Sequence, residues 1–182
     1  MAFVIVEGIS DRIAVETLAA RRGIDLDALG VSVVPVGGAH AIGRFLTGLE
    51  LSGVRLAGLC DAGEERQYRR ALERAGLGTD LTRADMERLG FYVCDEDLEA
   101  ELIRAHGAEA VEALLAVPGD LGPFRTFQKQ PQWHGRPPEA QLRRFMGSGG
   151  RRKLRYAGIL VEALDPARVP RPLDRVLAHV VP

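Results

Sequence analysis

An α/β fold, with a parallel sheet of about four strands flanked by helices and a C-terminal helical extension, is predicted for this 182-residue chain by three observations. Short apolar, β-branched runs alternate with amphipathic helical stretches as far as residue 106. That alternation is the mark of βα units sharing one parallel sheet. Three of the runs end in acids, and beyond residue 106 the pattern is helical only.

The elements follow in order. Phe3-Val4-Ile5-Val6 suits a strand buried on both faces. Glu7 stands at its end, and Gly8 lets the chain turn sharply. Ser10 or Asp11 can cap a first helix that begins at residue 11 or 12 and reaches 22. Ile13, Val15, Leu18 and Ala19 give it one apolar face, and Gly23 stops it. Residues 25–30 are a turn or a single helical turn. Residues 31–36 make the second strand, whose Pro35 marks either the end of pairing or a sheet edge. Gly37-Gly38 precede a helix over 41–49. The third strand covers 54–60 and runs into Asp61. A charged helix over 64–75 closes at Gly76, and a short one over 81–88 has Thr82 or Thr79 as cap.

The fourth strand, 89–94, runs into Asp95-Glu96-Asp97-Leu98-Glu99. The next helix carries Leu98, Leu102 and Ile103 at helical spacing, and another covers 108–117. Residues 118–138 are rich in Pro, Gly and Gln and read as a loop or linker, with Phe124, Phe127 and Trp133 inside it. A basic helix over 138–146, a flexible Gly147-Ser148-Gly149-Gly150 joint and helices over 151–164 and 173–180 complete the chain. The organisation expected is a catalytic unit at 1–117, a linker at 118–138 and a basic helical extension at 139–182.

A hydrophobic share of 46% against 27% charged residues is an ordinary globular balance. No apolar run approaches the roughly 20 residues that span a bilayer, and the N-terminus lacks a basic signal-peptide region. No membrane association is expected. Cys60 and Cys94 stand in predicted strands without any CxxC or Cys/His cluster. They read as buried free thiols of a cytoplasmic protein. Residues 1–123 hold 21 acids against 12 arginines, whereas 124–182 hold 12 basic residues against four acids. Such asymmetry suggests a metal site beside a polyanion-binding surface, or a basic face packed on an acidic half.

Parallel strands bring their carboxyl ends to one edge, so Glu7, Asp61 and the acids at 95–99 are expected to converge. Crowded carboxylates repel one another unless a cation neutralises them. All-oxygen ligands select Mg²⁺ or Mn²⁺ over zinc. Two such ions about 3.5–4 Å apart activate a nucleophile and stabilise a leaving oxygen in phosphodiester cleavage.

The segments Val6-Glu7-Gly8-Ile9-Ser10-Asp11, Pro35-Val36-Gly37-Gly38, Leu59-Cys60-Asp61 and Asp97-Leu98-Glu99 together resemble a Toprim domain. This is the metal-dependent catalytic domain of type IA topoisomerases, primases, small ribosomal-RNA maturases and OLD (overcoming lysogenization defect) nucleases. Their order and the Asp-Leu-Glu ending are most similar to the OLD group, over residues 3–106. Gly150-Arg151-Arg152-Lys153 resembles that group's C-terminal helical extension, in which a lysine assists catalysis. The resemblance implies that Glu7, Asp11, Asp61, Asp97 and Glu99 hold one or two divalent metal ions. It implies that Glu7, Asp61 and Lys153 are catalytic, with Glu7 as base or ligand.

One position departs from the pattern. Asp-x-Asp is expected at the third strand end, and Asp61-Ala62-Gly63 stands there, with Glu64, Asp95 or Glu96 as substitutes. OLD nucleases carry an ATPase ahead of the Toprim part. No GxxxxGK[ST] loop occurs here, so the resemblance points to an ATPase on a separate subunit. Arg143, Arg144, Arg151, Arg152, Lys153 and Arg155 are placed to neutralise backbone phosphates. Trp133 and Phe127 either pack the linker onto the sheet or stack on an unpaired base. The function expected is a Mg²⁺- or Mn²⁺-dependent DNA endonuclease or nickase. The alternatives are a non-catalytic binding module with a degenerate site and a structured-RNA processing nuclease.

Overall fold

The structure is a computed structural model and describes residues 1–49 and 52–181. Among these residues four parallel strands, β1 (Ala2–Val6), β2 (Val31–Pro35), β3 (Arg55–Asp61) and β4 (Phe91–Cys94), form one sheet in the order β2-β1-β3-β4. Pro35 ends a strand at the sheet edge, where a missing N–H removes no ladder bond from a second neighbour.

Strand alternation divides the core into two layers. Val4, Val6, Ala57, Leu59, Tyr92 and Cys94 face one side, against α1 (Ile9–Arg21), α5 (Leu98–His106) and the C-terminal helices. Ile5, Leu56, Cys60, Phe91 and Val93 face the other, against α2 (Ile42–Thr47), α3 (Glu65–Arg74) and α4 (Arg83–Arg88). Gly58 sits at the centre of the sheet because nothing larger fits. A Cβ there would stand 2.6 Å from the Phe91 ring and 2.9 Å from the Ile5 carbonyl. Cys60 and Cys94 are buried free thiols, and burial pushes both well above the ordinary thiol value.

α6 (Ala108–Leu115), α7 (Leu121–Gln128), α8 (Pro138–Gly147), α9 (Gly150–Glu162) and α10 (Arg171–Val180) complete the first layer. α9 lies along α1. Arg21 donates to the Val161 carbonyl at 2.7 Å, and the His106 ring bonds the Leu160 carbonyl at 2.7 Å. These contacts wedge α9 between α1 and α5, with its first turn at the sheet edge. No helix of the described residues is long and apolar enough to cross a membrane.

Three sequence expectations are corrected. α1 starts at Ile9, ahead of residue 11, because Gly8 is extended (φ −137°, ψ 177°) and serves as the N-cap itself. Asp11 acts from inside the first turn, its Oδ2 accepting the Gly8 N–H at 2.9 Å. The stretch read as a loop at 118–138 contains α7, whose Leu121, Phe124 and Phe127 pack into the core. Burial of these side chains outweighs a Pro- and Gly-rich composition. The joint at 147–150 is shorter than expected, since α8 ends at Gly147 and α9 begins at Gly150.

Candidate functional site

Register brings the strand ends to one edge. Ile5 is opposite Gly58, and Asp61 is opposite Cys94. Glu7, Asp61 and the chain after Cys94 therefore leave the sheet side by side. β2 and β3 flank β1 on opposite sides, so the gap between β1 and β3 is a topological switch point, the ligand crevice of open α/β sheets.

Each acid is positioned by its own local structure. The Gly37 and Gly38 amides donate to the Glu7 carbonyl at 2.9 and 3.3 Å. Both glycines have positive φ, 77° and 108°, which explains why the Pro-Val-Gly-Gly segment needs them. Asp97 is the N-cap of α5, its Oδ1 accepting the Ala100 N–H at 2.8 Å. Its Oδ2 lies 2.5 and 2.7 Å from Nη2 and Nε of Arg143. Arg143 also reaches Glu96 Oε2 at 2.8 Å. Glu99, in the first turn of α5, meets Lys153 Nζ at 3.0 Å from Oε1. Acids in that turn are favoured by the α5 dipole. Arg151, Arg152 and Lys153 in the first turn of α9 oppose theirs, at a cost of about 0.3–1 kcal/mol each. Arg152 recovers part of this against Asp120 at 3.7 Å and over the Phe145 ring at 4.2 Å.

One electrostatic field joins the set. Burial, followed by the charges of Glu7, Asp11, Asp97 and Glu99, pushes the Asp61 carboxyl up to about 8. Burial, then Glu99 and Glu7, raises Asp11 to about 6 against the opposing Gly8 N–H and Lys153. Burial disfavours the charge on Lys153, but Glu99, Asp11 and Asp61 more than offset it and hold its pKa above the ordinary lysine value. The structure thus gathers Glu7, Asp11, Asp61, Asp97, Glu99 and Lys153 at one edge. Among the described residues neither Glu7 nor Asp61 has a cationic partner.

Gly63 occupies the place of the second β3 acid. A Cβ on Gly63 meets nothing within 4 Å, so the position is open. Glu64 acts on Cys60 and Tyr68. Asp95 is 81% exposed, with Arg104 at 3.5 Å, and Glu96 is held by Arg143.

The donor set fits a hard divalent cation in chemistry: clustered carboxylate oxygens, two of which are driven toward protonation by burial and by their acidic neighbours. It is not closed around one point. Among the described residues no three His, Cys, Asp or Glu side chains are disposed to hold an ion together. Both oxygens of Asp97 are engaged by the Ala100 amide and Arg143.

Sequence reasoning missed two supports. Glu101 Oε1 accepts the Asp95 N–H at 2.8 Å and fixes the loop after β4. Arg143 grips Asp97, where only a phosphate contact was expected. No sequence spacing connects residues on α5 and α8, so only the packing of the two helices reveals that pair.

The fold is a Toprim-like parallel α/β sheet flanked by helices. Residues 1–62 match the family model described as "Overcoming lysogenization defect protein-like, TOPRIM domain". The C-terminal region of the Xanthomonas campestris pv. campestris OLD protein superposes with a TM-score of 0.73 at 24% identity, over 98% of this chain and 91% of that one. The C-terminal region of the Burkholderia pseudomallei OLD protein gives 0.70 at 19% identity, over 98% and 96%. No curated protein matches the chain significantly by sequence. The first third of the chain is thus similar to OLD-like Toprim domains, and the chain has the fold of an OLD C-terminal region throughout.

Proposed function

We propose that this chain is a divalent-metal-dependent phosphodiesterase that cuts nucleic acid, DNA before RNA, as an endonuclease or nickase. One observation carries the reading. Five carboxylates and a lysine from four separate segments share one field at the switch point of the sheet. Glu7, Asp11 and Asp61 would hold Mg²⁺ or Mn²⁺, with Asp97 and Glu99 added from α5. A bound divalent ion supplies Lewis acidity toward the phosphate and an acidified water. The Glu7 carboxylate takes the proton of the attacking water or serves as a ligand. Lys153 Nζ, held by Glu99, faces the charge that develops on the phosphate oxygens. The proposal includes an ATPase part working with this domain and a cytoplasmic setting.

Nicking of supercoiled plasmid by the purified protein with Mg²⁺ or Mn²⁺ tests it. Wild type is expected to nick, and Glu7→Gln and Asp61→Asn to lose about a hundredfold or more. Equal rates for wild type and both variants would remove the catalytic claim.

A second reading, a non-catalytic nucleic-acid or partner-binding module, is favoured by a specific observation. Arg143 and Lys153 already neutralise Asp97 and Glu99, and Gly63 leaves the second β3 acid missing. Calorimetry separates the two. Absence of Mn²⁺ binding alongside salt-sensitive DNA binding supports the module. Parallel cleavage of structured RNA and DNA identifies the substrate polymer.

A further inference from the structure

A groove of about 780 Å³ opens beside the acid edge. Asp97, Glu99 and Lys153 line it together with Trp133, Arg136 and Arg144. Arg136 and Arg144 are exposed, and among the described residues neither has an acidic partner. Two free guanidinium groups beside a carboxylate cluster give the groove one cationic flank and one anionic flank. A phosphate backbone is the ligand that the cationic flank suits.

The indole in this groove is braced. Trp133 stacks on Phe127 with centroids 5.1 Å apart and planes 29° apart. Phe127 stacks in turn on the fully buried Phe124, at 6.3 Å and 18°. The Trp133 carbonyl accepts from Nε2 of Gln141 at 2.7 Å, and Gln141, only 6% exposed, is bonded at its Oε1 by Gln128 at 2.8 Å. Both ends of this buried amide are hydrogen-bonded, so it fixes the loop without leaving a polar group unpaired. The result is an aromatic plate supported from behind, half-buried, with its remaining surface toward the groove. A preset aromatic plate beside paired cations is how sequence-tolerant sites hold unpaired strands. A duplex presents no base face to such a plate.

We propose that this groove binds an unpaired stretch of nucleic acid, with a base stacked on Trp133 and its backbone on Arg136 and Arg144. The adjoining phosphate is thereby led to the acid edge. This rests on the nuclease reading and adds strand state to it: single-stranded, frayed or gapped substrate is preferred to intact duplex.

Trp133 is the single tryptophan of the chain, so indole fluorescence reports the site directly. Wild-type protein in EDTA is titrated with an oligothymidylate of about twelve nucleotides, an abasic strand of equal length and a matching duplex. The oligothymidylate is expected to quench the indole and bind about tenfold tighter than the other two. By anisotropy, Trp133→Ala should lose that margin and Trp133→Phe should keep most of it. Arg144→Ala should weaken all three probes alike and lower the salt slope by about one. Equal affinity for abasic and thymidylate strands, without quenching, overturns the proposal. If that occurs while plasmid is still nicked in a Glu7-dependent way, the nuclease reading stands and the groove fails. Quenching as expected with no cleavage of any substrate supports the groove and sinks the nuclease reading instead.

Discussion

The acids at the ends of β1 and β3 and those at the start of α5 share one edge but differ in their partners. Asp97 and Glu99 are each gripped by a cation from the C-terminal helices, at 2.5 and 3.0 Å. Glu7 and Asp61 have no cation among the described residues, and Asp61 is driven up to about 8 by burial and its acidic neighbours. The difference teaches where positive charge is lacking. The α5 acids are neutralised within the protein, through the helix dipole and two ion pairs, and Asp97 also caps the helix. The β1 and β3 acids remain a deficit that an external cation can fill.

The largest effect that tests this contrast is Asp61→Asn. Plasmid nicking should fall by about a hundredfold or more. The same change should raise the melting temperature of metal-free protein at pH 8 by about 5 °C, since a buried carboxyl that resists ionisation is removed. Loss of activity without a gain in stability would break the contrast. Lys153→Met should cost about a hundredfold in kcat with little change in KM.

The next effect is a pH dependence. Asp11 and Asp61 keep protons in the folded state up to about 6 and about 8, whereas in the unfolded chain they release them near 4. The folded state binds more protons across that window, so stability falls as pH rises. The melting temperature in EDTA should drop by about 5–10 °C between pH 5 and pH 9 after allowance for partial exposure of Asp61. Mn²⁺ should flatten the curve, and a curve already flat in EDTA would show that the deficit is absent.

The smallest effect concerns Arg143, whose side chain is 42% exposed. Arg143→Ala frees one oxygen of Asp97 but keeps its cap on Ala100. Mn²⁺ affinity by calorimetry should rise about threefold, and DNA affinity should fall with a salt slope lower by about one. Weaker Mn²⁺ binding in this variant would mean that Arg143 orders the site and does not compete for it.

Much of this arrangement was legible in the sequence because the signals are local. Largely apolar runs of four to seven residues identified all four strands, and Pro35 marked an end at what proved to be the edge strand. Thr82 was one of two proposed caps for α4, and its side chain accepts the Asp85 N–H. The resemblance to an OLD Toprim domain, drawn from four short segments, agrees with the family match over 1–62 and with the fold of the whole chain. The errors lie where burial overrides composition. α7 hides in a Pro- and Gly-rich stretch because its Phe124 and Phe127 are fixed by contacts with Phe145, far along the chain. The early start of α1 depends on an extended Gly8, and a glycine permits either geometry.

By itself the sequence determined which residues are strands, which strands end in acids, and that the last third of the chain carries a net positive charge. Those facts follow from side-chain chemistry and spacing of two or 3.6 residues. Only the tertiary structure decided that Arg143 faces Asp97, that Lys153 faces Glu99 and that Trp133 is propped against Phe127 beside them. Pairings across such chain separations are set by how α8 and α9 pack onto the sheet layer, and helix packing obeys shape and burial, not sequence spacing.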